Sequence, residues 1–339
     1  MGVGVSRWRL AGSVAACGGM GTLAAQGLGQ ASDLPIPIDE AQARRRDDPH
    51  GVRAVVRETQ AALQRADGRG IVAVNIMVAI THFEALVAAA LEGGADAIVC
   101  GAGLPLKLPT LVGDRDVALI PMVSSARALR SLCRYWTTFS DGRLPDAVVV
   151  EGPKAGGHLG FSEAQIDDPA FQLEALVPEV VAEAARWGDI PVIAAGGVWD
   201  HQDAWTLFDL GARAVQLGTR FVITEECDVD PGFKQRYLAC GPDDITLTRT
   251  PVGLLGRVIR GPLLAAFERG EFPGFKCHYR CISSCVAHEV RYCIADHLLD
   301  AARGDEMGFY FVGTNGWRCR DLLPVAELMR RLAEGEAAR

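Results

Sequence analysis

Short runs of uninterrupted apolar residues alternate along this chain with longer stretches whose apolar positions recur every three to four residues. The short runs are residues 71–77 (IVAVNIM), 97–101 (AIVCG), 117–123 (VALIPMV), 147–150 (AVVV), 191–195 (PVIAA) and 214–217 (AVQL), with a weaker one at 21–25 (GTLAA). Apolar on both parities, they suit strands of a parallel sheet covered on both faces. Residues 83–92, 173–186 and 203–210 carry helical spacing, and a further helix is expected over 8–17. Strands and helices in alternation predict βαβ units.

Seven such strands fall one short of a closed parallel barrel. The expected fold is therefore α/β, a (β/α)8 TIM barrel whose first strand is missing or truncated. The opening MGVGVS reads as a loop that follows a strand, which points to a native start upstream. A missing strand would leave two unpaired sheet edges, which proteins normally avoid. The other architecture compatible with the alternation is an open doubly wound sheet. Residues 29–69 read as a polar insertion, a solvated surface helix plus loop that contains Arg44, Arg45, Arg46, Asp47 and Asp48. After Phe221 the pattern loses regularity. Residues 1–222 are thus expected to be the barrel core and residues 223–339 a C-terminal cap segment with the closing helix.

Composition excludes several classes. At 49% apolar residues the chain can bury a large core. The formal net charge is −8, and Lys and Arg are dispersed apart from Arg44, Arg45 and Arg46, so the basic stripe of a nucleic-acid binder is missing. No apolar run reaches the length of a membrane span. Arg7 and Arg9 precede an Ala/Gly-rich stretch with the outline of a signal peptide, but Gly12, Gly18, Gly19 and Gly21 interrupt it, and a barrel helix is the expected reading. Ten cysteines in a chain so read as cytoplasmic suggest free thiols or metal ligands rather than disulfides.

Two glycine-bearing turns follow apolar runs: Gly196-Gly197 after PVIAA, and Gly218-Thr219 after AVQL. In a (β/α)8 barrel the loops after the last two strands commonly bind phosphate, because glycines let backbone N–H groups approach its oxygens. A threonine hydroxyl can add a donor. Packing alone is the competing explanation for such glycines. A third loop, EGPKAGGHLG, follows AVVV and spans Glu151 to Gly160. Its Gly156-Gly157 pair would let the backbone pass close to a planar ring. His158, at the carboxyl end of a strand, is a candidate for acid–base work because its unperturbed pKa lies near neutrality.

EGPKAGGHLG, PVIAAGG and AVQLGTRF, together with MGVG, VNIM and residues 308–318 (GFYFVGTNGWR), resemble the nitronate monooxygenase family, formerly called 2-nitropropane dioxygenases. The resemblance covers nearly the whole chain and implies an FMN-binding (β/α)8 barrel. It implies that Asn75, Glu151 and Gly156 line the flavin, that Gly197, Gln216, Leu217, Gly218 and Thr219 hold its phosphate end, and that His158 is the active-site histidine. The implied reaction oxidises an anionic alkyl nitronate with FMN and O2 to a carbonyl compound and nitrite, with His158 as imidazolium or backbone donors steadying the anion. Two positions depart from the family pattern: Lys154 stands where relatives often have an acid, and Glu151 where many nitronate enzymes have Gln. Glu at that place also occurs in flavin-type enoyl-acyl-carrier-protein reductases. An NAD(P)H-dependent reduction of an enoyl thioester is accordingly the alternative activity, and a flavin-binding protein without turnover is a third reading.

Cys277, Cys281, Cys285 and Cys293 form a C-x3-C-x3-C-x7-C cluster. On a helix the first three would drift about 40° per step, so all four converge only if the chain bends; Pro273-Gly274 makes irregular backbone plausible there. Four thiolates suit zinc or an iron–sulfur cluster, although the spacing matches neither common zinc pairs nor ferredoxin runs. Buried structural cysteines are the competing reading. His278 and His288 are possible substitute ligands.

Overall fold

The seven apolar runs form one parallel sheet, with each strand hydrogen-bonded to the next along the chain. The computed structural model describes residues 2–36, 49–277 and 281–335. Its strands are β1 (Met20–Ala24), β2 (Ile71–Met77), β3 (Ala97–Gly101), β4 (Ala118–Val123) and β5 (Val148–Glu151). The chain then makes β6 (Gly157–Leu159), which belongs elsewhere, and returns with β7 (Val192–Ala195) and β8 (Ala214–Gln216). The sheet order is β1-β2-β3-β4-β5-β7-β8. One parity of the strands faces inward, where Ala73, Ala97, Val99, Ile120, Val149, Ile193 and Ala195 make an interior cluster. The other parity faces the helices, as with Val72, Val74 and Ile76. Burial on both faces is the reason the strands read as unbroken apolar runs.

The sheet curls as an incomplete (β/α)8 barrel, with β1 and β8 as its ends. The edge of β1 is partly covered by the N-terminal loop: Ala24 N donates to Ser6 O at 3.0 Å, and Ser6 Oγ donates to Thr22 O at 2.6 Å. The Ala/Gly-rich stretch that follows is the helix Trp8–Ala16, packed into the fold. Its glycine has a packing reason: a Cβ on Gly12 would lie 2.8 Å from Ala62 O. Likewise a Cβ on Gly21 would lie 1.7 Å from Ala11 O, so only glycine lets this helix rest on β1.

The helix Pro49–Ala66 corrects one expectation. It is not a solvated surface element but the crossover between β1 and β2, and Ala54, Val55, Glu58, Thr59 and Ala62 on its inner face are fully buried. Glu58 is held there by Trp8 N at 2.7 Å and Ser32 Oγ at 2.5 Å, and burial pushes its pKa up. The run from Arg44 to Asp48 lies outside the described residues.

Beyond β8 the chain forms a hairpin, β9 (Ile245–Arg249) and β10 (Leu255–Ile259), that sequence periodicity did not reveal. β9 alternates apolar and polar residues over only five positions, and each of its residues is half-buried or exposed. β10 also pairs antiparallel with β6, which makes a small sheet of order β6-β10-β9 over the mouth of the barrel. A separate core joins Val5 and Leu10 to Trp199, Phe221, Tyr237, Val312 and Leu328, and so ties both ends of the chain to the loops after β7 and β8. Among the described residues no helix is long and apolar enough to cross a membrane.

Candidate active site

The sheet register sets the first residues of the site side by side. Glu151 pairs with Ala195 and Ala195 with Gln216, so Glu151 and Gln216 share one row at the carboxyl ends of β5, β7 and β8. Asn75 lies across the barrel in the row Ala24–Asn75–Val99, where its Nδ2 donates to Val99 O at 3.2 Å. It is the only polar residue of β2 and is buried.

The loop leaving β5 turns back as β6 and places His158 opposite Gly256 of β10. A Cβ on Gly256 would come within 2.9 Å of the Phe311 ring and 3.0 Å of Thr250 Cγ2. Glycine there makes room for three side chains to meet: His158 lies edge-on to Phe311, with ring centroids 5.0 Å apart, and 3.0 Å from Thr250 Oγ1 through its Nε2. Thr250 has one hydroxyl proton and donates it to Leu254 O at 3.0 Å. With that proton committed, the hydroxyl can only accept from His158. Nε2 therefore carries the hydrogen, and Nδ1 is the unprotonated nitrogen of the neutral ring. Burial lowers the His158 pKa to about 4. Desolvation penalises the cation and the group that faces Nε2 is a neutral hydroxyl, so an imidazolium facing an anion would form only when the ring takes up a proton.

Thr250 is thus a positioning residue. Thr250→Val should lower kcat about tenfold, the cost of one lost hydrogen bond of about 1 kcal/mol plus a freed ring, with Thr250→Ser restoring it. In ¹⁵N NMR the wild-type His158 should show an unprotonated Nδ1, and Thr250→Val a mixture of tautomers. A Val variant with unaltered tautomer and rate would remove the assignment.

Three segments converge on the glycine turns. Gly196 and Gly197 have φ of +99° and +91°, which side-chain-bearing residues rarely adopt. The tight approach matters as well, since a Cβ on Gly196 would lie 2.8 Å from Gly152 O and one on Gly197 2.8 Å from Lys154 Cβ. From the C-terminal region, Asn315 Nδ2 donates to Gly197 O at 2.6 Å and Thr314 N to Lys154 O at 3.1 Å. Gly313 N donates to Thr219 Oγ1 at 2.8 Å, which leaves the Thr219 hydroxyl proton available to another acceptor. A Cβ on Gly156 would lie 2.6 Å from Gly313 N, so that glycine is where the two loops touch. Gly218, in contrast, has φ −118° and nothing within 4 Å of its Cβ direction. Leu217, just before it, is half-buried. Gly218 is exposed and the Thr219 hydroxyl stands next to it, groups able to contact a phosphate from solvent.

Arg257 holds the loop that carries His158, and Glu151 stands at the loop's start. The buried Arg257 donates through one guanidinium nitrogen to Pro153 O and Ala155 O, both at 2.6 Å, and burial lowers its pKa to about 10. Glu151 is half-buried, and desolvation of its carboxyl pushes its pKa up to about 7. Such a carboxyl adds to stability below its ordinary range, and the contribution is lost as pH rises through about 7. Glu151→Gln cannot ionise, so its Tm relative to wild type should be a few degrees higher at pH 8 than at pH 5. The same difference at both pH values would mean that the carboxyl is not buried in this way.

Thr250, Gly256, Arg257, Phe311, Gly313 and Asn315 are site residues that sequence reading missed. The alternation of Ile245–Arg249 and Leu255–Ile259 around a Thr-Pro-Val-Gly turn is a hairpin signal that could have revealed the first three. Beside the same loops a cleft of about 620 Å³ is lined in part by Trp199, Asp200, Arg220 and Arg318. Its arginines are engaged, Arg318 with Asp200 at 2.6 Å and Arg220 with Trp199 O. Of the four cysteines of the cluster, Cys281 lies at the turn after β2, where Thr81 N donates to Cys281 O at 2.9 Å. They are not on one helix, and only Cys293 adjoins one, as the N-cap of Ile294–Ala302. Among the described residues no group of three or more His, Cys, Asp or Glu side chains is placed to hold a single metal ion.

A family model described as nitronate monooxygenase matches residues 1–335. A nitronate monooxygenase of Pseudomonas aeruginosa is 31% identical over 249 residues, 68% of this chain and 66% of that protein. A (3aS,4S,5R,7aS)-5-hydroxy-7a-methyl-1-oxo-octahydro-1H-indene-4-carboxyl-CoA dehydrogenase of Mycobacterium tuberculosis is 31% identical over 158 residues, 47% of this chain but only 39% of that protein. Among solved structures, FabK from Thermotoga maritima superposes with a TM-score of 0.69 at 25% identity, covering 98% of this chain and 89% of that one.

Proposed function

The chain belongs to the nitronate monooxygenase family, a flavin-dependent oxidoreductase family, and from that premise we propose that it binds FMN and oxidises alkyl nitronates with O2 to a carbonyl compound and nitrite. The observation that carries the reading is His158 on the loop after β5, with its Nε2 3.0 Å from Thr250 Oγ1, on a loop whose Gly156 touches the Gly313 segment that also bonds Thr219 after β8. The backbone around Gly197 and Gly218 and the Thr219 hydroxyl would hold the phosphate. Gln216 and Leu217 would complete that phosphate end, and Glu151, Gly156 and Asn75 would line the ring. Bound FMN would supply the electron acceptor, and its chemistry would then be oriented by the protein. His158 exchanges a proton at Nδ1 with the substrate: it takes the α-proton of a neutral nitroalkane, or takes one from solvent as the anion binds, and in either case an imidazolium faces the nitronate. Thr250 and Phe311 keep the ring in place during that exchange. The small-molecule substrate and O2 are the partners in this reading, and the location is cytoplasmic.

Glu151 favours a second reading, an NAD(P)H-dependent reduction of an enoyl thioester, because a carboxyl with a pKa of about 7 is half protonated at neutral pH and can donate. The test is oxygen uptake by FMN-replete protein given an alkyl nitronate and no nicotinamide. Rapid uptake with nitrite release supports the monooxygenase. No uptake, with NAD(P)H oxidised on addition of an enoyl thioester, would replace it by the reductase. Inactivity in both assays with FMN firmly bound would leave a flavin-binding protein without turnover.

A further inference from the structure

Lys154 stands on the loop after β5, where three consecutive carbonyls are fastened. Its own carbonyl accepts from Thr314 N at 3.1 Å and from Thr314 Oγ1 at 3.2 Å. Those before and after it, of Pro153 and Ala155, both accept from Arg257 Nη1 at 2.6 Å. The place where the lysine side chain starts is therefore fixed. From there the side chain runs across the turn after β7: a Cβ on Gly197 would lie 2.8 Å from Lys154 Cβ and 3.1 Å from its Cδ. Gly197 thus makes room for the lysine stem, and the stem lies over one of the two turns proposed to hold the phosphate. The second turn is tied in through Gly313, whose N donates to Thr219 Oγ1 at 2.8 Å. A Cβ on Gly313 would lie 3.2 Å from that oxygen and 3.5 Å from Lys154 O.

The ammonium end, in contrast, is loosely held. Its ion pair with Glu174 Oε1 spans 4.0 Å, and the two side chains are 47% and 55% exposed. Such a pair contributes little, because two long side chains must be ordered in water to make it. The other cations on the segments that meet here are committed. Arg257 serves the two carbonyls, Arg220 donates to Trp199 O, and Arg318 pairs with Asp200 at 2.6 Å and faces Asp203 at 3.8 Å. A phosphate monoester carries about two negative charges at neutral pH. Backbone N–H groups and a hydroxyl set only partial charges against it. A full cation on a flexible four-carbon stem, anchored beside the same turn, supplies what they lack.

We infer that Lys154 is a binding residue for the flavin phosphate, its ammonium leaving Glu174 for the anion at the turns after β7 and β8. The inference rests on the reading that this chain binds FMN, and it makes the phosphate, not the ring, the part that Lys154 recognises. A flavin without its phosphate should not sense this residue.

The test is fluorescence titration of the full-length apoprotein with FMN and with riboflavin. Wild type should bind FMN the more tightly. Lys154→Met should weaken FMN by about tenfold, the lower range for a hydrogen bond to a charged group, and leave riboflavin unchanged. Lys154→Arg should keep most of the FMN affinity. Added salt should weaken FMN binding to wild type more than to Lys154→Met, because the contact joins two full charges in partial exposure. Glu174→Gln should bind FMN at least as tightly as wild type, since it frees the ammonium. Both positions are about half exposed, so these variants should fold. Unaltered FMN affinity in Lys154→Met would overturn the inference. An equal loss for FMN and riboflavin would overturn it too, by showing a structural role, as would a matching FMN loss in Glu174→Gln, which would mean that the ion pair is what matters. Wild type that binds neither flavin would sink the FMN reading itself, and this inference with it, so the two failures are distinguishable.

Discussion

His158→Ala is expected to keep its FMN and lose kcat/KM by about 10²–10⁴-fold, the usual contribution of a positioned acid–base group. The flavin should stay because the phosphate cradle is built from the loops after β7 and β8, whereas His158 stands on β6 and leans on Thr250 and Phe311. The loss should be a kinetic one, since alanine removes the Nδ1 acceptor and leaves the backbone pairing of His158 with Gly256 intact. The pH profile gives a second readout. With the free-protein pKa near 4, His158 is mostly neutral above that value, so with a neutral nitroalkane, whose α-proton Nδ1 must accept, the acid limb of wild-type kcat/KM should fall near 4 rather than near 6.5. A fully active alanine variant, or an acid limb at the unperturbed histidine value, would take His158 out of the mechanism.

Gly218→Val should produce a folded protein that no longer retains FMN. The two halves of that statement have different causes. Folding is tolerated because Gly218 has φ −118° and its Cβ direction is empty, so valine meets neither backbone strain nor a neighbour. Flavin should be lost because, under the proposed function, that space is where the phosphate sits, next to the Thr219 hydroxyl. A fall in FMN affinity of at least about tenfold, or about 1.4 kcal/mol, is expected by fluorescence titration of the apoprotein, with Tm of the apoprotein within a few degrees of wild type. Gly197→Val is the contrasting variant. At φ +91° and against Lys154 it should lose stability itself, which would show that the glycines serve separate purposes. A folded Gly218→Val variant with full flavin content would place the phosphate elsewhere.

Much of the scaffold was legible in the chain because its signals are local. Runs such as IVAVNIM and AIVCG read as strands and are strands, since both of their parities are buried. Gly196-Gly197 were identified as a turn after a strand and bend the chain after β7, whereas Gly218 and Thr219 open the short helix Thr219–Val222 after β8. The helix Pro49–Ala66 was misjudged because its polar composition hides a buried inner face, including the fully buried Glu58 and Thr59 that hydrogen bonds make acceptable. The hairpin Ile245–Arg249 with Leu255–Ile259 was missed although its first strand alternates, because each run is only five residues long and lies outside the βαβ repeat. The cysteine cluster was visible as a composition, but its irregular backbone was not.

The sequence by itself determined the alternation of strand and helix, the places where glycine lets the chain turn, and the presence of a histidine at the carboxyl end of a strand. Each follows from which residues are apolar, which lack a Cβ and which titrate near neutrality. Only the tertiary structure decided what that histidine is. Its partner, Thr250, lies 92 residues away, and the threonine's own proton is committed to Leu254. Phe311 and Gly256 close the pocket from two further segments. Protonation state and tautomer are set by desolvation and by the hydrogen bonds available in space, and those are properties of the packed neighbourhood that no local run of residues encodes.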